Sequence, residues 1–136
     1  MMPERSWPRV EIAYACVDMD GRLIDFMATY AQGIVLAGVG DGNATADAIL
    51  ALDRAVAAGL VVVRATRTGS GRVARNIEVD DDGHGTLAAG ELSPQKARIL
   101  LTLGLMQSQD PVALQQLFNH YGQAREHIYA KAVPLV

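Results

Sequence analysis

Two nearly continuous apolar runs constrain the fold of this 136-residue chain more than any other feature. Residues 34–37 and 60–66 are mainly aliphatic and lack the apolar–polar alternation of a half-exposed strand. Strands of this composition are buried on both faces, as in the centre of a parallel sheet. A run at 11–17 and a weaker one at 86–89 complete four predicted strands. The spacing of the first three strands leaves room for crossover helices, which predicts βαβ units.

The segments between and after these strands carry helix signals. Residues 23–31 and 44–58 are predicted helices, the second ending at Gly59 in a left-handed conformation. Ser93-Pro94 and Asp110-Pro111 each pair an N-cap side chain with a first-turn proline, which predicts helices over 95–107 and after 110. The chain is therefore predicted to be α/β: a small, Rossmann-like, three-layer domain with a four-stranded, mainly parallel sheet flanked by about four helices.

One domain is expected over residues 1–136, because a chain of this length normally builds a single core. We assign that core to residues 8–121 and a C-terminal extension to 122–136. A sheet of three or four strands is small, which indicates part of a larger protein. The helix over 95–107 is apolar nearly all round, so we expect it to be packed on several sides. With the helix after Asp110 it is expected to leave apolar surface for homo-oligomerisation.

Composition disfavours several classes of partner. A net charge of −3 gives no electrostatic reason to bind nucleic acid or an anionic membrane. No apolar run approaches the roughly 18 residues that span a bilayer, and residues 1–8 lack the apolar stretch of a secretion signal. A cytoplasmic location is expected. The single cysteine, Cys16, lies in the first apolar run and is predicted to be buried.

Two polar segments follow predicted strands. Residues 38–43, the glycine loop, have the sequence GVGDGN; residues 75–82, the acidic loop, have the sequence RNIEVDDD. Because the carboxyl ends of parallel strands meet at one edge of a sheet, both loops are predicted to converge on one small polar molecule. A nucleotide site and a purely structural turn are the alternatives for the glycine loop. The nucleotide site is the least favoured, because Asn43 stands where the dinucleotide fingerprint has its third glycine.

The acidic loop also has alternatives. A run of charges is often a solvated loop, and calcium binding is disfavoured because the acids are consecutive rather than spaced. His84, His120 and His127 are isolated in sequence, so no metal site and no cofactor are expected. Arg64, Arg67 and Arg72 follow the third strand and have the chemistry to bind a carboxylate. The favoured alternative is that Arg64 and Arg67 anchor the loop through its carbonyls and neighbouring acids.

Five segments together resemble the C-terminal domain of the bacterial L-asparaginase (asparaginase/glutaminase) family. They are PRVEI at 8–12, GIVLAGVGDGN at 33–43, VVRATR at 62–67, EVDD at 78–81 and LSPQKARILL at 92–101. The likeness covers about residues 8–121. It implies an amidohydrolase subunit whose N-terminal domain holds two catalytic threonines, an aspartate and a lysine, and acts on L-asparagine or L-glutamine.

The resemblance also implies a role for two residues of this chain. The family's C-terminal domain reaches into the active site of a partner subunit and supplies a substrate-binding asparagine and glutamate, which match Asn43 and Glu78. Neither Thr-Gly-Gly-Thr nor Gly-Thr-Asp-Thr occurs here, so no catalytic residue is assigned, Thr86 included. The chain alone is expected to be inactive without an N-terminal catalytic domain. The alternative is a free-standing amino-acid-binding or assembly module.

Overall fold

The computed structural model describes residues 6–69 and 71–123. Its four strands are β1 (Val10–Tyr14), β2 (Gly33–Gly38), β3 (Val61–Thr66) and β4 (Leu87–Ala88). They form one parallel sheet in the order β1-β2-β3-β4. The predicted α/β class and four-stranded sheet are confirmed. Because the strand order never reverses, the sheet has no switch-point crevice, and a site at its carboxyl edge must be built by loops.

Helices cover both faces of the sheet. On one side lie α1 (Arg22–Ala28) and α2 (Ala46–Ala57), and on the other lie α4 (Pro94–Leu105) and α5 (Pro111–Tyr121). A single turn, α3 (Asp81–His84), stands in the connection between β3 and β4. This turn is the addition to the four helices expected from the sequence. The arrangement is a three-layer α/β/α domain, as predicted.

Two apolar cores hold the layers together because successive strand residues point to opposite faces. Ile34 and Leu36 of β2 pack toward α1 and α2, whereas Val35 packs toward α4 and α5. All six residues of β2 are buried, and so are all six of β3. Burial on both faces explains why these two strands lack polar alternation.

The predicted helix boundaries have the expected capping chemistry. Ser93 accepts a hydrogen bond from the backbone N–H of Lys96 at 3.3 Å, and Asp110 accepts one from Val112 at 3.1 Å. Each of these caps precedes a proline in the first turn. Gly59, after α2, has a φ of +96°, as predicted for the end of that helix.

The prediction that Cys16 is buried is wrong. β1 ends at Tyr14, and the last residue held against β2 is Ala15, whose N–H donates to the Ala37 carbonyl. Beyond it the chain turns away from the sheet, so Cys16 is exposed and Val17 is 94% exposed. The apolar run is therefore longer than the part of it that pairs with β2, and its last residues are exposed to solvent.

The expectation that α4 is packed on several sides holds only for its inner face. Ala97, Leu101 and Gly104 are buried against the sheet and α5. On the outer face, Ile99 is 58% exposed and Leu103 is 45% exposed. An apolar surface therefore remains along α4.

Side chains close the two edges of the sheet. The buried Gln115 of α5 accepts from the Ala88 N–H at 2.9 Å and donates to the Ala88 carbonyl at 3.1 Å. It thereby makes the two backbone hydrogen bonds to Ala88 that a neighbouring strand would make. At the opposite edge, the Arg98 Nε of α4 donates to the Val10 carbonyl at 2.8 Å.

The end of the described chain is held to the segment that follows β4, because the Gly122 carbonyl accepts a hydrogen bond from the Glu91 N–H at 2.8 Å. Of the C-terminal extension predicted over 122–136, residues 124–136 lie outside the described residues. Within 6–69 and 71–123, no helix is long and apolar enough to cross a membrane.

Candidate functional site

The glycine loop is a tight turn at the carboxyl end of β2. Val39 and Asn43 face each other and exchange two backbone hydrogen bonds of 2.8 Å, so only three residues make the turn. A Cβ on Gly38 would lie 2.3 Å from the Gly42 carbonyl carbon. Gly42 has a φ of +78°, and a Cβ there would lie 3.0 Å from Arg64 Nη1. Glycine is therefore required at both positions.

The structure brings together the two residues to which the family resemblance assigns substrate binding. The side-chain amide Nδ2 of Asn43 donates a hydrogen bond to Glu78 Oε2 across 35 residues of sequence. Asn43 is half-buried and Glu78 is exposed. Both residues therefore keep some solvent exposure, and the two loops lie close together, as predicted.

Arg64 links the two loops by hydrogen bonds from the interior of the domain. It belongs to β3, its side chain is fully buried, and its Nη1 donates to the Asp41 carbonyl in the glycine loop at 2.6 Å. On the other side, Nε and Nη2 form a bidentate pair with Asp81, each at 2.7 Å. Arg64 thus anchors both loops through a carbonyl and an acid, one of the two roles predicted for it.

Asp81 is the acidic partner at the centre of this arrangement. Its carboxylate is fully buried and accepts hydrogen bonds from Arg64, from the Thr86 hydroxyl at 2.5 Å and from the Asn76 N–H at 2.9 Å. Burial alone would raise the pKa of this carboxyl, but the hydrogen bonds from Arg64, Thr86 and Asn76 together hold the pKa below its usual value. Asp81 is therefore a buried carboxylate rather than part of a solvated loop.

Comparison with known protein families decides the assignment of the chain. The profile described as the Glutaminase/Asparaginase C-terminal domain matches residues 9–118, which is most of the sequence. The chain belongs to this family. The resemblance inferred from the five sequence segments is thus confirmed.

The relatives of this glutaminase/asparaginase C-terminal domain are longer proteins. This chain is 43% identical over 118 residues to a probable periplasmic L-asparaginase of Haemophilus influenzae, and the match covers 85% of this chain and 34% of the relative. It is 47% identical over 90 residues to L-asparaginase 2 of Escherichia coli, covering 66% of this chain and 26% of the relative. A glutaminase-asparaginase of Pseudomonas fluorescens is 34% identical over 119 residues, 86% of this chain and 33% of the relative. The chain spans about a third of the length of the curated relatives it matches.

The other acids of the asparaginase-type acidic loop have structural partners. Asp80 accepts from the Gly83 N–H at 3.0 Å and caps α3. Asp82 pairs with Arg75 at 2.6 Å, and this hydrogen bond, with a second from Asn76, holds the pKa of Asp82 below its usual value. The loop is thus ordered by side-chain contacts.

Two histidines of the domain are described, and neither belongs to a metal cluster. His84 Nδ1 lies 2.6 Å from Asp53 Oδ1 on α2, and the ring of His120 makes an edge contact with Tyr121. His127 lies outside the described residues. Within the described ranges, no group of three or more His, Cys, Asp or Glu side chains has an arrangement that could hold a metal ion.

Arg67 does not share the anchoring role predicted for it alongside Arg64. Its side chain is exposed and lines a separate cavity of about 350 Å³ between β1, β3 and the start of α4. Only its backbone holds the glycine loop, through a 2.8 Å hydrogen bond from its N–H to the Gly38 carbonyl. The buried and exposed arginines therefore have different roles although they follow the same strand.

The local sequence does not distinguish Asp81 from the aspartates on either side of it. The residue that indicates a buried acid in this chain is Arg64. A guanidinium in the middle of an otherwise apolar, buried strand requires a buried carboxylate. The acidic loop is the nearest source of such a carboxylate further along the chain.

Proposed function

We propose that this domain supplies Asn43 and Glu78 to the substrate site of an L-asparaginase-type amidohydrolase, which converts L-asparagine and water to L-aspartate and ammonia. The observation that carries the proposal is the hydrogen bond between Asn43 and Glu78. It places an amide and a carboxylate side by side on the surface of a domain whose relatives are named L-asparaginases. L-glutamine is the alternative substrate, since other relatives are named glutaminase-asparaginases.

The chemistry of the pair suits an amino-acid substrate. The Glu78 carboxylate complements an α-ammonium group, and a charge-assisted hydrogen bond of this kind is stronger than a neutral one. Asn43 has a second amide hydrogen and a carbonyl oxygen in addition to the hydrogen that it donates to Glu78. The pair therefore offers both a charge and a hydrogen-bonding group to the same substrate.

The nucleophile is assigned to a separate N-terminal catalytic domain. Thr86, which lies beside the site, is 3% exposed and its hydroxyl donates to Asp81. A hydroxyl held in this way is not available to attack a substrate. On this proposal the chain of 136 residues is a single C-terminal-type domain that has no amidase activity alone, and no cofactor is expected.

The first experiment tests the substrate-binding role in an active context. Residues 9–118 replace the matching segment of L-asparaginase 2 from Bacillus subtilis, which is 41% identical over 115 residues. Glu78→Ala removes a charged interaction worth about 1.5–3 kcal/mol, so kcat/KM for asparagine should fall about ten- to a hundred-fold. Asn43→Ala should cost less, because a neutral group is lost. The exposed Glu91 provides a matched control, and Glu91→Ala should leave kcat/KM unchanged.

A folded chimaera in which Glu78→Ala leaves kcat/KM unchanged contradicts the proposal. The double variant adds a second criterion. If Asn43 and Glu78 hold the same substrate amino acid, their combined loss is less than the sum of the single losses. Full additivity would mean that the two residues act separately.

The second experiment tests whether the pair acts in a partner subunit. Hybrid dimers of the chimaera combine a nucleophile variant with Glu78→Ala, either on the same chain or on opposite chains. If the pair acts in trans, lesions on opposite chains fall in one site and spare the other, so about half of the activity remains. Lesions on one chain then damage both sites. An active same-chain hybrid would show that Glu78 serves its own subunit.

The alternative, a free-standing amino-acid-binding or assembly module, is distinguished by the chain itself. Calorimetry with asparagine and aspartate should show no binding or very weak binding, because the chain supplies only part of the substrate contacts. Micromolar binding favours the module. Ammonia release from asparagine by the purified chain contradicts the assignment of the nucleophile to another domain.

Self-association is the remaining part of the proposal. The exposed apolar side chains of α4 and α5, such as Ile99, Leu103 and Tyr121, form a surface of the kind that marks interfaces. Sedimentation at about 100 µM, where interfaces of micromolar affinity are occupied, should show a dimer or a larger oligomer, and a monomer there contradicts this. The cytoplasmic location stays a prediction to be tested by fractionation, since the name of the Haemophilus influenzae relative places that protein in the periplasm.

A further inference from the structure

Arg64 stands at a position where an ordinary strand would have an aliphatic side chain. It is fully buried at the centre of β3, and its partner Asp81 is fully buried as well. A buried ion pair adds little net stability compared with a well-packed apolar pair, because both charges lose their hydration. A function of the ion pair is therefore expected from the groups that it holds in place rather than from the stability that it adds.

The hydrogen bonds of Arg64 reach both functional loops. Its guanidinium donates to the carbonyl of Asp41, which precedes Asn43 by two residues. It also holds Asp81, whose Oδ2 accepts the N–H of Asn76, two residues before Glu78. One side chain thus fixes the backbone close to each half of the site.

A second link joins the loops directly. Asp41 Oδ1 accepts a hydrogen bond from the N–H of Ala74 at 3.1 Å, and the carbonyl of Ala74 lies 3.4 Å from Arg64 Nη2. The glycine loop, the segment before the acidic loop and the buried ion pair therefore form one connected network. Within the described residues, Arg64 is the member that touches every part of it.

We propose that Arg64 and Asp81 are positioning residues that hold Asn43 against Glu78. This inference rests on the proposed substrate-binding role of that pair. The guanidinium is planar and presents several N–H groups in fixed directions, which lets it bind a carboxylate and a carbonyl at once. A lysine at this position has the charge but cannot reproduce the bidentate pair. Displacements of about 1 Å at a binding site are enough to reduce catalysis up to a hundred-fold.

The experiment measures the contact itself in the full chain. The side-chain amide signals of Asn43 are recorded by NMR with and without Glu78→Gln, which changes the acceptor of its hydrogen bond. In the otherwise unmodified chain Glu78→Gln should shift these signals. In an Arg64→Lys background the response of Asn43 to Glu78→Gln should be lost.

The chain provides a matched control for this substitution. Arg54 of α2 makes the same bidentate pair with Asp25 of α1, through Nε at 3.1 Å and Nη2 at 2.9 Å, but at the surface and away from the site. Arg54→Lys should leave the response of Asn43 intact. If Arg64→Lys lowers the melting temperature yet Asn43 still responds to Glu78→Gln, Arg64 has only a structural role and the inference is overturned.

Hydrogen exchange in the unmodified chain decides the question if Arg64→Lys does not fold. The N–H groups of Asn43, Ala74 and Asn76 are bonded to Val39, Asp41 and Asp81. If the network joins the loops, the three amides open as one unit and share one protection factor. Protection factors that differ more than about tenfold between Asn43 and Asn76, or about 1.4 kcal/mol of opening free energy, show loops that open separately and overturn the inference.

The outcomes for the two proposals are separate. Loss of the Asn43 response in Arg64→Lys, together with an unchanged kcat/KM for Glu78→Ala in the chimaera, leaves the positioning role standing and rejects the substrate-binding role. A retained response with a large kinetic effect of Glu78→Ala does the reverse. In the chimaera, Arg64→Lys should raise KM more than it lowers kcat, whereas Arg54→Lys should change neither.

Discussion

The glycine loop and the acidic loop meet at Asn43 and Glu78, but the chain shapes them by different means. The glycine loop is defined by its backbone: Val39 and Asn43 close it, and Gly38 and Gly42 leave no room for a side chain. The acidic loop is defined by side chains, of which Asp81 is buried. The turn of the glycine loop is thus set by its own residues and then held by Arg64, whereas the acidic loop takes its shape from the contact with Arg64 itself.

The largest effect should follow from removing the buried carboxylate of the acidic loop. Asp81→Ala leaves the Arg64 guanidinium buried without its partner, which should lower the free energy of unfolding by about 3–5 kcal/mol. Chemical denaturation measures the change. Asp82→Ala is the control, because Asp82 pairs with Arg75 at the surface and its loss should have little effect. Equal losses for the two variants would mean that burial does not distinguish these acids.

The glycine loop should be broken by a single methyl group. Gly38→Ala places a Cβ 2.3 Å from the Gly42 backbone, and the resulting overpacking should cost about 3 kcal/mol of unfolding free energy. Gly40→Ala is the matched substitution, because nothing lies within 4 Å of a Cβ there and only its φ of +57° is unfavourable. That change should cost about 1 kcal/mol. If both glycines tolerate alanine equally, sterics do not shape this loop.

Low pH should lower the stability that the acidic loop gives to the fold. The pKa of Asp81 is lower in the folded chain than in the unfolded chain, so the carboxylate stabilises the fold fully above its unfolded pKa of about 3.9. This contribution is lost as the pH falls below that value and through the folded pKa. Denaturation between pH 6 and pH 3 should show a smaller loss for Asp81→Asn than for the unmodified chain. A parallel pH dependence for both would exclude Asp81 as a source of acid sensitivity.

The smallest effect is expected at Arg67. Its side chain is exposed and makes no hydrogen bond to the described residues, so Arg67→Ala should change the unfolding free energy by less than about 0.5 kcal/mol. A thermal melt compared with that of the unmodified chain is sufficient. A loss as large as that of Asp81→Ala would restore the anchoring role that the sequence predicted for both arginines.

The difference between the two loops also explains which parts of the molecule could be predicted from the sequence. The buried strands β2 and β3 and the capped helix starts at Ser93 and Asp110 follow from local patterns. The convergence of Asn43 and Glu78 follows from the parallel sheet together with the family resemblance.

Two features could not be predicted, because they depend on contacts distant in sequence. Cys16 lies in an apolar run, but β1 pairs with β2 only as far as Ala15, so the end of that run is exposed. Asp81 lies between two surface aspartates in the sequence. It is turned toward Arg64 by the helical turn α3. The apolar outer face of α4, by contrast, agrees with the exposed apolar surface that the sequence predicts for this helix, and it stays uncovered because α5 packs on one side of it.

The glutamine that bonds Ala88 has a consequence for how this domain can assemble. Open edges of a sheet invite another strand, whether from a second subunit or from a misfolded chain. At β4, Gln115 already takes the N–H and the carbonyl that an added strand would need, and Arg98 takes a carbonyl at β1. Growth of the sheet by strand addition is thereby opposed at β4, and one outward carbonyl of β1 is already occupied. If the chain self-associates as proposed, its helical faces and its loops, including those at the carboxyl edge of the sheet, are therefore the surfaces left for contact with a neighbouring chain.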